Sequence, residues 1–301
     1  MEFLGYREGS SIYLRFLDSP SATPFHTLSW LRFVKGVLGN SRIAFLVWHD
    51  EGYPSGVLPL VERRFWGARF AFSVPFDAPG GPLGSPPPER WHRAFDGYWH
   101  VRVCDPERTL ITPWETLLVP VHVINLARFN PSRSQVRAAR QAERRGLVVE
   151  ELSGFSEELH ELYMRVKAQR GGLTFGRRAL QNLFSEMAGH TFGFVGRHEG
   201  KPVAFILNFA HNQKAVSYLH GFDRAFAALR PMSALIIRSV ESAIERGCSE
   251  FSLGSTAPGD PGLAAFKESF GASARPMRIH IKQGALFRFA ERARRPFRKS
   301  L

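Results

Sequence analysis

One order of helical and strand-like periods runs through this chain twice, and this duplication constrains the fold more than any single motif. The first half reads as helix, hairpin, strand, helix and strand, and the second as two helices, three strands, a helix and a strand. The offset is about 140 residues, which is the size of a domain and not of a short repeat. The sequence therefore predicts an α+β protein built from a duplicated module.

Local spacing places the elements of the first half. Apolar residues at 28, 31, 34, 37 and 38 have helical spacing, and Gly39 follows as a stop signal. Residues 43–48 and 56–62 predict two strands of a hairpin. Residues 12–17 are predicted as the first strand.

The charge of the chain favours an acidic partner. Lys and Arg number 40 against 27 Asp and Glu, and the formal net charge is +13. Nucleic acid, an anionic membrane surface and a phosphorylated substrate are partners of that kind.

Several classes of site and location are disfavoured. Two cysteines are too few for a disulfide framework, and the eleven histidines show no ligand spacing, so no metal is expected. No secretory signal and no apolar run of membrane-spanning length is visible. We expect a cytoplasmic protein, with peripheral attachment to the inner face of the plasma membrane left open.

Two basic segments are candidate surfaces. Residues 130–146 predict a capped helix on which Arg137, Arg140 and Arg144 line one face. That face is either a solvated arginine surface or a phosphate-binding one. Residues 284–301 mix phenylalanine and leucine with arginine, and predict a basic amphipathic tail. The tail either contacts an anionic membrane surface or docks through its phenylalanines.

A lysine between two phenylalanines follows the last predicted strand. Residues 250–253 read as that strand, and a Gly- and Pro-containing loop leads to a helical turn with Phe266, Lys267 and Phe270. An ammonium in a partly dry site stabilises a phosphate or a developing oxyanion. The alternative is an exposed helix lysine whose stem covers Phe270.

A strand end and a helix start lie close together between residues 218 and 233. Tyr218, His220 and Asp223 occupy the end of one strand and the loop after it. Arg230 and Ser233 fall at the mouth of the next helix, where free N–H groups favour an anion. A capped helix with an exposed arginine is the simpler interpretation.

These segments resemble the Fem peptidyltransferases and the GNAT N-acetyltransferases, and the resemblance extends to residue 282. The segments that carry it include Pro202-Val-Ala-Phe-Ile-Leu-Asn208, Tyr218-Leu-His-Gly-Phe-Asp223, Leu229-Arg-Pro-Met-Ser-Ala-Leu235, Gly262-Leu-Ala-Ala-Phe-Lys267 and, in the first half, Thr27-Leu-Ser-Trp30 and Gly56-Val-Leu-Pro-Leu60.

The resemblance implies two tandem GNAT-like domains, residues 1–128 and 129–282, followed by the tail at 283–301. Each domain is expected to hold a mixed, mostly antiparallel sheet flanked by helices, with the active cleft in the second. The Phe–Lys pair of Fem-like enzymes carries over to Phe266 and Lys267. The pyrophosphate loop of GNAT enzymes matches Arg230, Ser233 and Leu235, although neither of its glycines is kept.

The implied activity is transfer of an acyl or aminoacyl group from acyl-CoA or aminoacyl-tRNA to an amine of a cell-envelope, glycan or peptidoglycan precursor. Lys267 is expected to stabilise the oxyanion, and His220 or Asp223 to accept the amine proton. The expected substrate-binding residues are Phe266, Arg230, Ser233, Tyr218, Arg137, Arg140 and Arg144.

The expected partners are an anionic or lipid-linked substrate, tRNA, and a membrane surface bound through residues 284–301. The alternative is a non-catalytic GNAT-like protein that binds an anionic polymer or a membrane. An open cleft joining Arg230 to Lys267 would favour the enzyme.

Overall fold

The computed structural model describes residues 1–73, 76, 79–171, 174–257 and 259–284. Its contacts divide the chain into two compact units. Unit 1 comprises Met1–Leu118 and the described residues from Met277 onward, and unit 2 comprises Val119–Pro276. The domain limits expected after residues 128 and 282 stay a prediction. The tail prediction lies, from residue 285 on, outside the described residues.

Unit 1 is a mixed sheet with helices packed on it. Its elements are β1 (Glu2–Gly5), α1 (Tyr6–Leu14), α2 (Leu28–Leu38), β2 (Ser41–Asp50), β3 (Tyr53–Phe65), β4 (Ala68–Phe72), β5 (Leu83–Gly84), β6 (His100–Asp105) and, from residue 277, β13 (Ala272–Gln283). The strand order is β1-β2-β3-β4-β6-β13, with β5 on β3. Of these pairs, β4 with β6 is parallel and the others are antiparallel.

The first helix of unit 1 corrects one prediction. Residues 12–17 were expected to form a strand, whereas α1 extends to Leu14 and β1 takes the edge position beside β2. Gly9 and Tyr13, one helical turn apart, pack on β2: the Tyr13 ring stacks on Phe45 with centroids 4.7 Å apart. Burial of this short helical face decides the conformation, which the local pattern of residues 12–17 could not show.

Unit 2 repeats the arrangement. Its elements are, from residue 119, β7 (Glu115–Asn125), α3 (Arg133–Arg144), β8 (Leu147–Glu151), α4 (Glu157–Arg170), α5 (Arg177–Glu186), β9 (Thr191–His198), β10 (Lys201–His211), β11 (Lys214–Phe222), α6 (Pro231–Glu245), β12 (Glu250–Ser255) and α7 (Pro261–Glu268). The strand order is β7-β12-β11-β10-β9-β8, and β11 with β12 is the parallel pair. The expected α+β class, with mixed and mostly antiparallel sheets flanked by helices, is confirmed.

Strands β11 and β12 separate partway along their length. Their pairing covers residues 214–216 and 250–252, although β11 continues to Phe222 and β12 to Ser255. A bulge lies just beyond this pairing: Asn208 of β10 pairs with Ser217 and Leu207 with Leu219, so Tyr218 is the extra residue. A bulge bends its strand and increases the twist. The two strands therefore diverge, and a gap opens between them.

Close packing of glycine in β9 gives a test of this fold. A Cβ on Gly193 would lie 2.4 Å from the carbonyl oxygen of Ile206, which belongs to the adjacent strand backbone and cannot move aside. We expect Gly193→Ala to lower the free energy of unfolding by about 1–3 kcal/mol, measured by urea denaturation. Gly189→Ala is the matched control, because nothing lies within 4 Å of its added Cβ. Equal stability of the two variants would contradict the described packing of β9 on β10.

Candidate active site

A cavity of about 340 Å³ occupies the gap between β11 and β12 in unit 2. Its walls come from β11, β12, the first turn of α6 and the α7 helix. Most of the lining is apolar, and the polar groups converge from several elements. The lining residues are Ser217, His220, Phe222, Ala227, Arg230, Pro231, Met232, Ser233, Ile236, Leu253, Leu263, Phe266 and Lys267.

Lys267 is buried at the edge of this cavity, with 5% of its surface exposed. Its Nζ donates to the carbonyl oxygens of Gly254 at 3.1 Å and Ser255 at 2.7 Å, at the end of β12. Asp260 caps α7 by accepting from the Leu263 amide at 2.9 Å, which orients the helix carrying the lysine. The alternative of an exposed helix lysine is therefore wrong.

Burial changes the acidity of the Lys267 ammonium. Loss of solvation lowers its pKa from 10.5 to about 8, and the charge of Asp260 opposes the shift. At neutral pH the lysine stays a cation, held in a poorly solvated place by two carbonyl dipoles. Such a cation interacts strongly with a developing negative charge.

His122 of β7 is a neighbour that sequence reasoning missed. The ring is buried, and its Nδ1 lies 3.1 Å from the Thr256 hydroxyl. Burial lowers the pKa of His122, and the charge of Lys267 lowers it further, while Glu268 opposes both. A histidine within a strand and outside any motif carries no sequence signal of this placement.

Arg230 precedes α6 in the left-handed conformation, with φ of 51°, and Pro231 takes the first helical position. The Arg230 side chain makes no capping bond to the helix and lines the cavity. The N-terminus of α6 therefore faces the cavity together with a guanidinium. Both features favour an anionic ligand group.

A buried glutamine connects the helices around the cavity. The Ser233 hydroxyl donates to Gln135 Oε1 at 2.7 Å, and Gln135 Nε2 donates to Ser269 Oγ at 2.8 Å. Ser269 in turn donates to the Phe266 carbonyl at 2.6 Å. Gln135 thus ties α3 to the first turn of α6 and to the end of α7. Its polar side chain on the alanine-rich face of α3 was a signal that the sequence reasoning did not use.

Because of the bulge at Tyr218, the predicted residues His220 and Tyr218 of β11 lie in different surroundings. His220 faces the cavity, and its Nδ1 lies 3.0 Å from the Ser217 hydroxyl. Tyr218 does not line this cavity. Its ring is tilted against that of Phe209, with centroids 5.2 Å apart, and it lines a second cavity of about 270 Å³, to which His220 also contributes.

Asp223 also lies outside the cavity lining. Its Oδ1 accepts from Gln169 Nε2 at 3.0 Å and from the Ala225 amide at 3.1 Å, and Arg165 lies 3.3 Å from Oδ2. The hydrogen bond from Gln169, with help from Ala225 and Arg165, lowers the pKa of this carboxyl. A carboxylate held in this way is a weak base and serves as a cap for residues 224–229.

The arginine face of α3 is separate from the cavity. Arg137, Arg140 and Arg144 are exposed, whereas Gln135 and three alanines form the buried face. Within the described residues, no carboxylate lies within 4 Å of these guanidinium groups. The face is a solvated surface of positive charge.

The described residues contain no cluster of three or more His, Cys, Asp or Glu side chains able to hold a metal ion. Within the same residues, none of the helices has both the length and the hydropathy needed to cross a membrane.

Residues 131–268 match the family described as the acetyltransferase (GNAT) domain. This segment holds nearly all of unit 2, including the cavity and Lys267. No curated protein matches the sequence.

Several solved structures have the same fold over both units. FemX is 12% identical, with a TM-score of 0.67 over 96% of this chain and 99% of that chain. The C-terminal domain of a proposed lysylphosphatidylglycerol synthetase from Agrobacterium fabrum is 14% identical, with a TM-score of 0.60 and 93% coverage of each chain. A tandem GNAT protein of the clavulanic acid biosynthesis pathway is 12% identical, with a TM-score of 0.60 over 93% and 98%.

The family match places a GNAT acetyltransferase domain in unit 2, and the solved structures show that the chain has the fold of FemX and of a tandem GNAT protein. The predicted resemblance to the GNAT and Fem-like acyltransferases is confirmed at this level.

The acidity of Lys267 can be measured directly. We expect its ammonium to titrate near pH 8 in an NMR experiment on lysine-labelled protein, with Lys267→Met identifying the signal. Below pH 8 the ammonium is protonated in both the folded and the unfolded chain, so burying its charge lowers the free energy of unfolding by the full amount. Between pH 8 and about 10.5 the folded protein has released this proton while the unfolded chain still holds it, so the free energy of unfolding rises with pH. A Lys267 signal that titrates with the exposed lysines would contradict the described burial.

Proposed function

We propose that the protein transfers an acyl group from a thioester donor of the acyl-CoA type to a primary amine in the cavity of unit 2. The observation that carries the proposal is the meeting of Lys267 and Arg230 in one cavity. A cation for a developing oxyanion and a cation for a donor phosphate thus face the same space. The open cavity also favours an enzyme over the non-catalytic binding protein.

The charge of the cavity supports acyl-CoA over aminoacyl-tRNA as donor. Its lining includes Lys267, Arg230 and His220 and contains no carboxylate. The free ammonium of an aminoacyl group would meet like charge there and find no acid to pair with. Apolar side chains such as Ile236, Leu253 and Phe266 instead suit an uncharged acyl group.

The N-terminus of α6 supports the donor assignment. A donor diphosphate placed there would meet Arg230 and the helix dipole. Ser233 and Leu235 stand where the GNAT loop has glycines, yet Ser233 turns to Gln135 and Leu235 is in the core. Leu235 is not among the residues that line the cavity, so its larger side chain adds no bulk there.

The chemistry then follows from the groups around the cavity. The neutral acceptor amine attacks the thioester carbonyl carbon, forming a C–N bond, and the carbonyl oxygen becomes an oxyanion. Lys267 has three N–H groups, of which two donate to Gly254 and Ser255, so the third is available to the oxyanion. His220 accepts the amine proton directly or through water. The C–S bond breaks, and the thiolate leaves as a thiol after protonation.

We infer an acceptor amine on a cell-envelope molecule. The names of two structural neighbours, FemX and a proposed lysylphosphatidylglycerol synthetase, support this choice. A net charge of +13 and the exposed arginine face of α3 suit an acceptor that is itself anionic or lipid-linked.

Replacement of the buried cation tests the proposal. With acetyl-CoA, longer acyl-CoAs and a panel of amines, thiol release reports transfer. We expect Lys267→Met to lower kcat by about 10²-fold or more, since one oxyanion donor is lost. In the wild type, kcat should fall as pH rises through about 8, where the ammonium is lost. Lys201→Met, at an exposed lysine of the same unit, is the control. Full activity of a folded Lys267→Met variant would remove the assignment.

The donor site has its own test. We expect Arg230→Gln to raise the Kd for CoA about tenfold, because a charge-assisted phosphate contact is lost. Isothermal titration calorimetry measures this Kd, and Arg224→Gln, at an exposed arginine six residues earlier, is the control. Equal affinities of the two variants would place the donor phosphates elsewhere.

A further inference from the structure

A β-hairpin of unit 1 presents two aromatic side chains to solvent at its tip. Strands β3 and β4 are joined by Trp66 and Gly67, and the last pair of the hairpin is Phe65 with Ala68. Trp66 is 94% exposed and Phe65 is 56% exposed. The two rings stack with centroids 5.8 Å apart and an interplanar angle of 17°. A paired, exposed aromatic surface of this kind typically marks an interaction site.

The backbone of the tip is unfavourable for the residue that occupies it. Trp66 has φ of 47° and Gly67 has φ of 78°. Hairpin turns with positive φ at both positions usually carry Asn or Asp before Gly. A bulky aromatic residue at positive φ is an outlier, and such outliers concentrate at functional sites. Folding alone would therefore favour asparagine at position 66.

Immediately behind the tip, arginines line a cavity of about 350 Å³, here called the arginine cavity. Its lining holds four arginines and one carboxylate, and these residues are Arg42, Arg63, Arg64, Arg69 and Glu62. Arg64 and Arg69 are directly opposed on β3 and β4. Like charges in that position repel. An anion in the cavity would relieve this repulsion.

Glu62, the single carboxylate in the lining of the arginine cavity, already accepts hydrogen bonds from neighbouring side chains. Glu62 is buried and accepts hydrogen bonds from Arg42, Arg69 and the Tyr98 hydroxyl. In the described part of the chain, no carboxylate lies within 4 Å of Arg63 or Arg64. The arginine cavity therefore keeps an excess of positive charge next to the aromatic tip.

A third exposed aromatic residue, Trp99, lies beside β4 near the tip of the hairpin. The Trp99 amide donates to the Arg69 carbonyl at 2.9 Å, and 48% of Trp99 is exposed. The Gly284 amide donates to the Trp99 carbonyl at 2.8 Å. The sequence beyond Gly284 holds six Arg and Lys residues and one Glu, so the basic tail begins beside the hairpin.

We propose that the β3–β4 hairpin is a contact for an anionic phospholipid bilayer. Trp66 and Phe65 enter the headgroup region, where tryptophan is favoured because its ring is apolar and its N–H is polar. The arginine cavity receives a lipid phosphate, which Arg63 and Arg64 bind through the planar fork of the guanidinium. Basic residues beside the tip add attraction to the negative surface. This contact does not depend on the transfer chemistry of unit 2.

Co-sedimentation of the full chain with vesicles tests the proposal. Vesicles of phosphatidylcholine with phosphatidylglycerol are compared with vesicles of phosphatidylcholine alone. Trp66→Asn keeps a residue suited to the turn and should weaken partitioning onto the anionic vesicles about tenfold, through loss of indole burial. Arg64→Gln should weaken it about fivefold, the factor for one basic residue near an anionic surface, and should have little effect with the neutral lipid.

Three controls distinguish binding by the hairpin from binding by the tail and from a site for free phosphate. Tyr53→Ala removes an aromatic residue, 76% exposed, at the tip of the β2–β3 hairpin and should bind as the wild type does. If Arg294→Gln with Arg295→Gln in the tail abolishes binding while Trp66→Asn does not change it, the tail is the membrane contact and the proposal is overturned. If inorganic phosphate stabilises the wild type against heat but vesicles do not bind, the arginine cavity is a phosphate site and the proposal is overturned as well.

Discussion

Two hydrogen bonds from the Lys267 ammonium to the end of β12 hold the site together. Where β11 and β12 diverge, β12 has no pairing with β11 beyond Ser252, and the carbonyls of Gly254 and Ser255 lie just past that point. Lys267 supplies donors to both. The same contacts fix a cation at the edge of the cavity, at the expense of its solvation. The structural role of this lysine and the chemical role proposed for it therefore depend on the same contacts.

Hydrogen bonds of the surrounding residues fix the position of Lys267. The cap of α7 at Asp260 orients the helix, and the chain of hydrogen bonds through Gln135 connects α7 to the mouth of α6. A shift of either helix would break bonds at the other. These hydrogen bonds thus set the distance between Lys267 and the turn at Arg230, which is what the proposed transfer between two bound substrates requires.

Much of the fold could be predicted because its signals are local. The start and end of α2 and α3 follow from caps, glycine stops and apolar spacing, which depend on neighbouring residues alone. The strand prediction for residues 12–17 failed because packing of Tyr13 on Phe45 overrode the local pattern. The bulge at Tyr218 was equally invisible, since it arises from pairing with β10. It sends Tyr218 and His220 to positions that simple alternation along a strand would not give.

In the candidate site too, residues with a local sequence signal could be predicted, and residues whose role depends on distant contacts could not. Lys267, Phe266, Arg230 and Ser233 could be proposed because their segments resemble known motifs, and all four line the cavity. Gln135 could not be assigned a role, because its partners lie on helices distant in sequence.

A crystal structure of the protein with a bound acyl-CoA would show whether Lys267 and Arg230 contact the donor. We expect the diphosphate at the first turn of α6 beside Arg230, and the thioester carbonyl oxygen within hydrogen-bonding distance of Lys267 Nζ. A thioester bound away from the gap between β11 and β12, with Lys267 still donating only to the carbonyls of β12, would contradict it. In that case the lysine would be a structural clasp without a part in catalysis.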